Sequence, residues 1–357
     1  FKLKSEFKTD IEAAKIPLIF VIIKIYIKNI LSKVYKYHMK ILAIQNRMGI
    51  GDTVIFLPFI RAIYKKFNTP ISLLVKESSK ADQFLYQTNY IKEIIFLERN
   101  ENKKRHEGFF GSLKLVNDLK KYNFDKVFIF NSSIRYNLIA RLSKIPEIYQ
   151  YPLFQKNKQH LIETPRKFLK NKINSEVKED PIIELDEISV LEAIKKYKIN
   201  KDNLNILLGI GGSGPTKRIP ANTFIKVIGK ISERKKSRFF LATGKKTEEQ
   251  LILKEILDSK YKNLCSSLDD LTIKQTLPII KNCDISICND TGFGHLSSAL
   301  GVKTISLIAD APLLYGNYSS LMFPITPDGV EIVTHGTNGK NKINSDKIFE
   351  KFLELSS

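Results

Sequence analysis

Tryptophan is absent from the 357 residues, and cysteine, methionine and histidine are scarce, with 3, 3 and 5 copies. Cys265, Cys283 and Cys288 lack C-x-x-C spacing, which argues against a metal role and predicts reduced core thiols in a cytoplasmic protein. No G-x-G-x-x-G follows the first expected strand, so the Rossmann dinucleotide fingerprint is missing, and without G-x-x-x-x-G-K-[ST] an ATPase P-loop is excluded. No D-x-D pair stands at a strand end, so no metal ligands are expected there. Helix-turn-helix, zinc-finger and RRM signatures are all lacking, which leaves nucleic acid without a reader. Acidic residues are also few, 37 against 58 Lys and Arg, and the net charge of +21 asks for an anionic partner or surface. An alternative source of that charge is compositional, since the chain is rich in Lys, Ile and Asn.

Long hydrophobic runs are missing too. Over residues 1–38, Ile16, Phe20, Ile23, Ile27, Ile30, Leu31 and Val34 recur at helical spacing, but Lys24, Lys28, Lys33 and Lys36 interrupt them before a membrane span is reached. A signal peptide is disfavoured by the lysines that follow and by the lack of a small-residue cleavage site. The stretch reads as a basic amphipathic helix, lying on an anionic membrane surface or packed on the first domain.

What is present is α/β alternation. With 43% hydrophobic residues and this length, two globular domains can each hold a core. Strands are expected over 41–45, 71–76, 93–97 and 126–130, with helices over 56–67, 80–87 and 112–121 between them. Such alternation implies a parallel sheet. Residues 154–184 turn polar and lysine-rich with little periodicity, and there the first domain runs out. A second α/β set follows, with helices over 186–197, 221–232, 247–257 and 272–281 and strands over 205–209 and 238–243. The domains are read as 1–38, a basic extension; 39–184; and 185–357.

The most informative stretch is Cys283 to Ala309, read as strand, turn, helix, strand, with Gly301 closing the helix. A turn at the carboxyl end of a parallel strand that opens into a helix presents backbone N–H groups and the positive end of the dipole, and phosphate is its natural occupant. Gly292 and Gly294 permit close approach, Thr291 can donate a hydroxyl and His295 a ring N–H. Alternatively, Asp290 or Thr291 merely caps the helix and His295 is a packing residue. The glycine-rich turn Gly211 to Pro220 follows another strand, so Lys217 and Arg218 can neutralise a diphosphate there; a flexible surface turn is the bland alternative. Asp52, in the turn Asn46 to Asp52 after the first strand, either caps the next helix or points across a cleft.

Three of these stretches together resemble the glycosyltransferase family 9 heptosyltransferases. Asn289 to Gly301 matches that family's N-D-T-G-x-x-H-L-x-x-A-L-G, Gly51-Asp52 its G-D after the first strand, and Gly211 to Pro220 its glycine/serine turn followed by K-R-W-P. The resemblance runs from Met39 to the C-terminus and departs at Ile219, where the family has Trp. It implies a GT-B architecture, two Rossmann-like parallel-sheet domains facing a central cleft. It further implies an inverting transfer of a sugar, a heptose, from a nucleoside diphosphate sugar such as ADP-heptose to a hydroxyl on a lipopolysaccharide-core or other lipid-linked saccharide, with no cofactor and no metal. Asp52 would be the base, with Asn46, Arg47, Gly51, Asn131 and Arg135 on the acceptor side. Lys217 would assist departure of the diphosphate, and the donor would meet Ser213, Thr216, Lys217, Asp290, Thr291, Gly292 and His295. Glu248, with Glu249 close behind, would hold the donor ribose, a charged helix start being the competing explanation. Such an enzyme would work in the cytoplasm at the inner face of the membrane, on an anionic glycolipid and not on nucleic acid. A GT-B-type epimerase or hydrolase, and a basic membrane- or nucleic-acid-binding protein, are the rival readings.

Overall fold

The computed structural model describes residues 39–99, 104–154 and 159–356. The amphipathic helix expected over 1–38 lies outside the described residues. Residues Lys40–Ser357 make one compact unit built on two sheets. Strands β1 (Ile41–Ile44), β2 (Ile71–Lys76), β3 (Ile91–Leu97), β4 (Lys126–Ile129) and β5 (Glu147–Gln150) pair in the order β3-β2-β1-β4-β5. All the pairings are parallel, with Ile41 opposite both Ile71 and Lys126. β1 reads ILAI and is buried throughout, as a central strand covered on both faces must be.

Helices α1 (Ile50–Phe67), α2 (Ala81–Phe84), α3 (Gly108–Lys120) and α4 (Ile134–Leu142) link these strands. α1 begins six residues before the expected start at Phe56. It takes Asp52 into its first turn, and Gly49, at φ +97°, makes the entry that a side chain would resist. The lysine-rich segment after residue 154 contains a helix not expected from its weak periodicity, α5 (Glu163–Ile173). One apolar edge, Pro165, Phe168, Leu169 and Ile173, is enough to anchor it, and the Phe168 ring meets those of Phe128, Phe130 and Tyr151.

The chain from Asn174 to α6 (Glu187–Lys196) is stitched to both halves. Glu179 pairs with Arg61 and Lys65 and the Tyr90 hydroxyl donates to Ile182 O on the first, while Ile183 N donates to Ala299 O and Ser320 N to Asp180 on the second. The second sheet orders β6 (Leu204–Gly209), β7 (Ser237–Ala242), β8 (Cys265–Ser267), β9 (Ile285–Asn289), β10 (Lys303–Leu307) and β11 (Met322–Ile325) as β11-β10-β9-β6-β7-β8, again all parallel. Its helices are α7 (Ala221–Ser232), α8 (Thr247–Leu257), α9 (Ile273–Lys281), α10 (Gly292–Ala299), α11 (Leu314–Asn317) and α12 (Ser345–Ser356). Thr272 and Gln275 close a capping box on α9, a device that contributes about 1 kcal/mol. Ile219, at the place of the family's Trp, is fully buried in this half's core with Phe224, Ile228 and Leu208, so the departure falls on packing and not on the cleft. Cys283 and Cys288 are buried and Cys265 is partly so; burial pushes the Cys288 thiol up to about 12, where it is inert.

Candidate active site

The carboxyl ends of β1, β6, β7 and β9 open on one cavity of about 680 Å³, lined from the first half by Gly49, Ile50, Gly51 and Asp52 and from the second by the expected donor turns. Two helices aim their amino ends into it. α10 starts at Gly292, capped by the Thr291 hydroxyl, which accepts from Phe293 N at 3.1 Å and keeps its own hydrogen to donate. Capping and ligand binding, set against each other in the sequence, are therefore compatible at Thr291. α1 comes to the same place from the other side, so the positive ends of two dipoles converge where a diphosphate would sit.

The helices approach more closely than side chains would allow. A methyl group on Gly51 would lie 2.5 Å from His295 Cδ2, and one on Gly292 would lie 2.9 Å from Ile50 Cδ1. Glycine at both positions sets this seam.

Asp290, between β9 and Thr291, is buried and paired with Lys217 through its Oδ2, while its Oδ1 lies 3.8 Å from His295 Nε2. Burial alone would push its carboxyl up, but His295 and Lys217 outweigh that and hold it down at about 2. Tyr318 lies beneath, its ring stacked on His295 and its hydroxyl 2.8 Å from Nδ1; burial drives this phenol far above its ordinary value, so it stays neutral. A tautomer with the proton on Nε2 accepts the Tyr318 hydroxyl at Nδ1 and turns a ring N–H towards Asp290. Asn289 donates to Ile210 O at 2.9 Å and Gly211 O at 3.0 Å, which fastens the two donor turns together.

In the turn Gly211 to Pro220, Ser213 and Lys217 line the cavity, whereas Arg218 does not. The Arg218 side chain is only 5% exposed, donates to Gly212 O at 3.0 Å and pairs with Glu248 at 2.6 Å, so it folds the turn instead of meeting a ligand. Thr216 is likewise turned away, towards Asp310.

The choice of Glu248 needs correction. Its side chain is 69% exposed and given to Arg218, outside the cavity, because the first turn of α8 carries it to the outer side. Glu249, about 100° further round the helix, is buried, lines the cavity and accepts from Gly212 N at 2.9 Å. Gly211 and Gly244 both press on its carboxylate, at 2.6 and 2.5 Å from where their side chains would begin. Glu249→Gln keeps the acceptor for Gly212 N but loses the charge, and is expected to weaken nucleoside diphosphate binding about 2- to 13-fold, one hydrogen bond's worth. Glu248→Gln should leave it unchanged. Calorimetry giving the opposite ranking would return the ribose contact to Glu248.

In the first half, where the acceptor residues are expected, Asp52 is the third residue of α1, and the cap position belongs to Gly49. Burial raises its carboxyl above the ordinary value and the charge of Asp290 adds to this, with Arg47, His295 and Lys217 opposing. Asn46 accepts from Asn131 at 3.3 Å, linking the turns after β1 and β4, while Arg135 donates to His106 O. Sequence reasoning passed over Lys76, whose ammonium feels both Asp52 and Arg99, and Tyr315, which lines the cavity with Lys217 6.0 Å from its ring centroid. Neither lies in a motif; position at a strand end was the one available signal, and it applies to Lys76 alone.

The chain resembles known proteins along most of its length. A lipooligosaccharide heptosyltransferase 2 of Campylobacter jejuni is 28% identical over 271 residues, which cover 72% of this chain and 77% of that protein. Among solved structures, a glycosyl transferase family 9 protein of Veillonella parvula has a TM-score of 0.73 at 17% identity, covering 89% of this chain and 97% of its own. The ADP-heptose lps heptosyltransferase II of E. coli has a TM-score of 0.67 at 16% identity, covering 89% and 98%. These likenesses fix the fold as GT-B, as the sequence motifs imply. The model of the family described as glycosyltransferase family 9 (heptosyltransferase) matches residues 112–321, more than half of the sequence, and the chain, a glycosyltransferase, belongs to that family.

Proposed function

We propose that the protein transfers heptose, with inversion, from ADP-heptose to a hydroxyl of a lipopolysaccharide-core saccharide at the cytoplasmic face of the membrane. One observation carries the reading: a carboxyl raised by burial, Asp52, shares one cavity with the Lys217 ammonium, the His295 ring and the amino end of α10, which together suit a diphosphate. Asp52 takes the proton of the acceptor hydroxyl as its oxygen bonds to the anomeric carbon. The bond from that carbon to the diphosphate oxygen breaks, and the charge that develops there is met by Lys217 and the N–H groups of α10. Attack from the Asp52 side with departure on the opposite side inverts the anomeric centre. Glu249, buried at the cavity wall, would hold the ribose, and no step calls for a cofactor. On the acceptor side, Arg47, Lys76, Arg99 and Arg135 give the first half a positive cast suited to an anionic saccharide.

The test is release of ADP from ADP-heptose by the purified protein, with and without a core oligosaccharide. Release that requires acceptor and yields one glycosylated product per ADP is expected. Equal release without acceptor would indicate a hydrolase or epimerase instead.

A further inference from the structure

Helices α3 and α4 bury one side each in a shared core, through Leu115, Val116 and Leu119 on α3 and Tyr136, Ile139 and Ala140 on α4, and Ser143 Oγ at the end of α4 donates to Val116 O. Their other sides face solvent with apolar residues in register. Ile134, Leu138 and Leu142 recur every fourth residue along α4 and are 47%, 50% and 53% exposed. Phe109 and Phe110, 74% and 76% exposed, stand edge to face at the start of α3, with Leu113 one turn on. Arg135 ties the start of α4 to His106 just before them, and Phe154 N donates to Ser132 O, which brings a further exposed ring beside Ile134.

Soluble proteins seldom leave this many large apolar side chains exposed on two packed helices without a partner. On and beside the two helices Lys104, Lys114, Arg141 and Lys144 are exposed; of the acids there, Asp118 is claimed by Arg105, His106 and Lys121, and Glu107 is close enough to Arg135 to be offset by it. The surface begins where Asn131 and Ser133 lead out of the cleft, on the side of Asp52.

We propose that this α3–α4 face is a membrane-docking surface. Phe109, Phe110 and the α4 stripe enter the interfacial layer of a bilayer, and the surrounding lysines and arginines meet anionic headgroups. Aromatic rings in a cationic setting suit that layer, apolar on one side and charged on the other. The segment 1–38 is a poorer occupant on charge alone, since its lysines give it the same sign as these cations. No helix among the described residues is long and apolar enough to cross a membrane. The inference extends the reading of a lipid-linked acceptor, which would reach Asp52 from the bilayer the enzyme lies on, but its test needs neither donor nor acceptor.

The absence of Trp makes Phe110→Trp a single-site reporter in the full chain. With vesicles of phosphatidylcholine containing 30% phosphatidylglycerol, its emission should move to the blue and be quenched by brominated acyl chains; added salt should reverse both. The double variant Phe109→Ser, Phe110→Ser should lose about tenfold or more in partition to the same vesicles while binding ADP and melting like the parent. A reporter that stays unquenched while the protein floats with the vesicles would mean that another segment docks. Reporter shifts that depend on protein concentration and not on lipid would mean a contact between copies. Either result overturns the proposal. Loss of vesicle binding with intact transfer to a water-soluble acceptor would uphold both readings; a double variant that still binds vesicles like the parent would overturn the docking proposal, and a parent that docks but transfers no sugar would count against the sugar chemistry only.

Discussion

Asp52→Asn is expected to lower turnover about 10²-fold or more while ADP affinity stays within twofold of the parent, the pattern of a lost general base. Asn is nearly isosteric and caps helices as well as Asp does, and the structure removes capping as a competing role, since Gly49 holds the cap position and Asp52 lies inside the first turn. The pH dependence carries the sign. Burial raises the Asp52 carboxyl, so kcat/KM should fall as pH drops through a value above that of an ordinary aspartate, and this acid limb should vanish in the variant. Stability should move the other way from a lost cap. A carboxyl whose folded value is raised holds its proton longer folded than unfolded, so its ionisation costs stability once pH exceeds the folded value. Asn removes that cost, and the melting temperature near neutral pH should hold or rise. A variant that transfers sugar at the parental rate, or that keeps the acid limb, would move the base elsewhere.

Lys217→Ala should weaken nucleoside diphosphate binding by about 1.5–3 kcal/mol, the range for a hydrogen bond to a charged group. Its ammonium pairs with Asp290 and lines the cavity, so an incoming diphosphate must share it with that carboxylate. The sharing has a second consequence. Asp290 is held at about 2 against burial by His295 and Lys217 together, and without Lys217 its carboxyl should titrate closer to the ordinary range. In the parent, the stability this pairing supplies is present at neutral pH and is lost as pH falls from the ordinary value towards about 2; in the variant less of it is present at neutral pH, and the smaller loss is complete at a higher pH. Arg218→Ala should instead unfold the turn, because its guanidinium binds Gly212 O and Glu248 rather than the cavity. Calorimetry with unchanged ADP affinity for Lys217→Ala would place this lysine outside the donor seat.

Much of the architecture was legible because central parallel strands are short apolar runs: ILAI, ISLLVK and ISICN stand out from a lysine-rich background. Of the edge strands, β3 stands out in the same way, but β5 and β8 do not. β5 reads EIYQ, and β8 is three residues, CSS; a strand paired on one side only need not be apolar. α1 starts before the expected Phe56 because Gly49 supplies a positive-φ entry and Gly51 a close approach in the first turn, and the helix absorbs Pro58. Within the site, motifs located the turns but not the direction of each side chain. Glu248 and Glu249 differ by one helical step, and sequence offers no means to choose between neighbours whose chemistry is the same. Tyr318 was beyond reach for another reason: its role is to receive His295, a contact made 23 residues away through the fold.

The seam at Gly51 and Gly292 ties two lengths that most two-domain enzymes can vary separately. Where domains meet through long side chains, clearance is adjustable, and a substitution on one side is taken up by a rotamer on the other. Here the backbone of α1 rests against the His295 ring, and the Ile50 side chain against the backbone of α10. His295 also lines the cavity, and Asp52 directly follows Gly51. On the proposed chemistry, the gap between the two halves and the span from proton acceptor to leaving group are thus one dimension, gauged by two missing methyl groups.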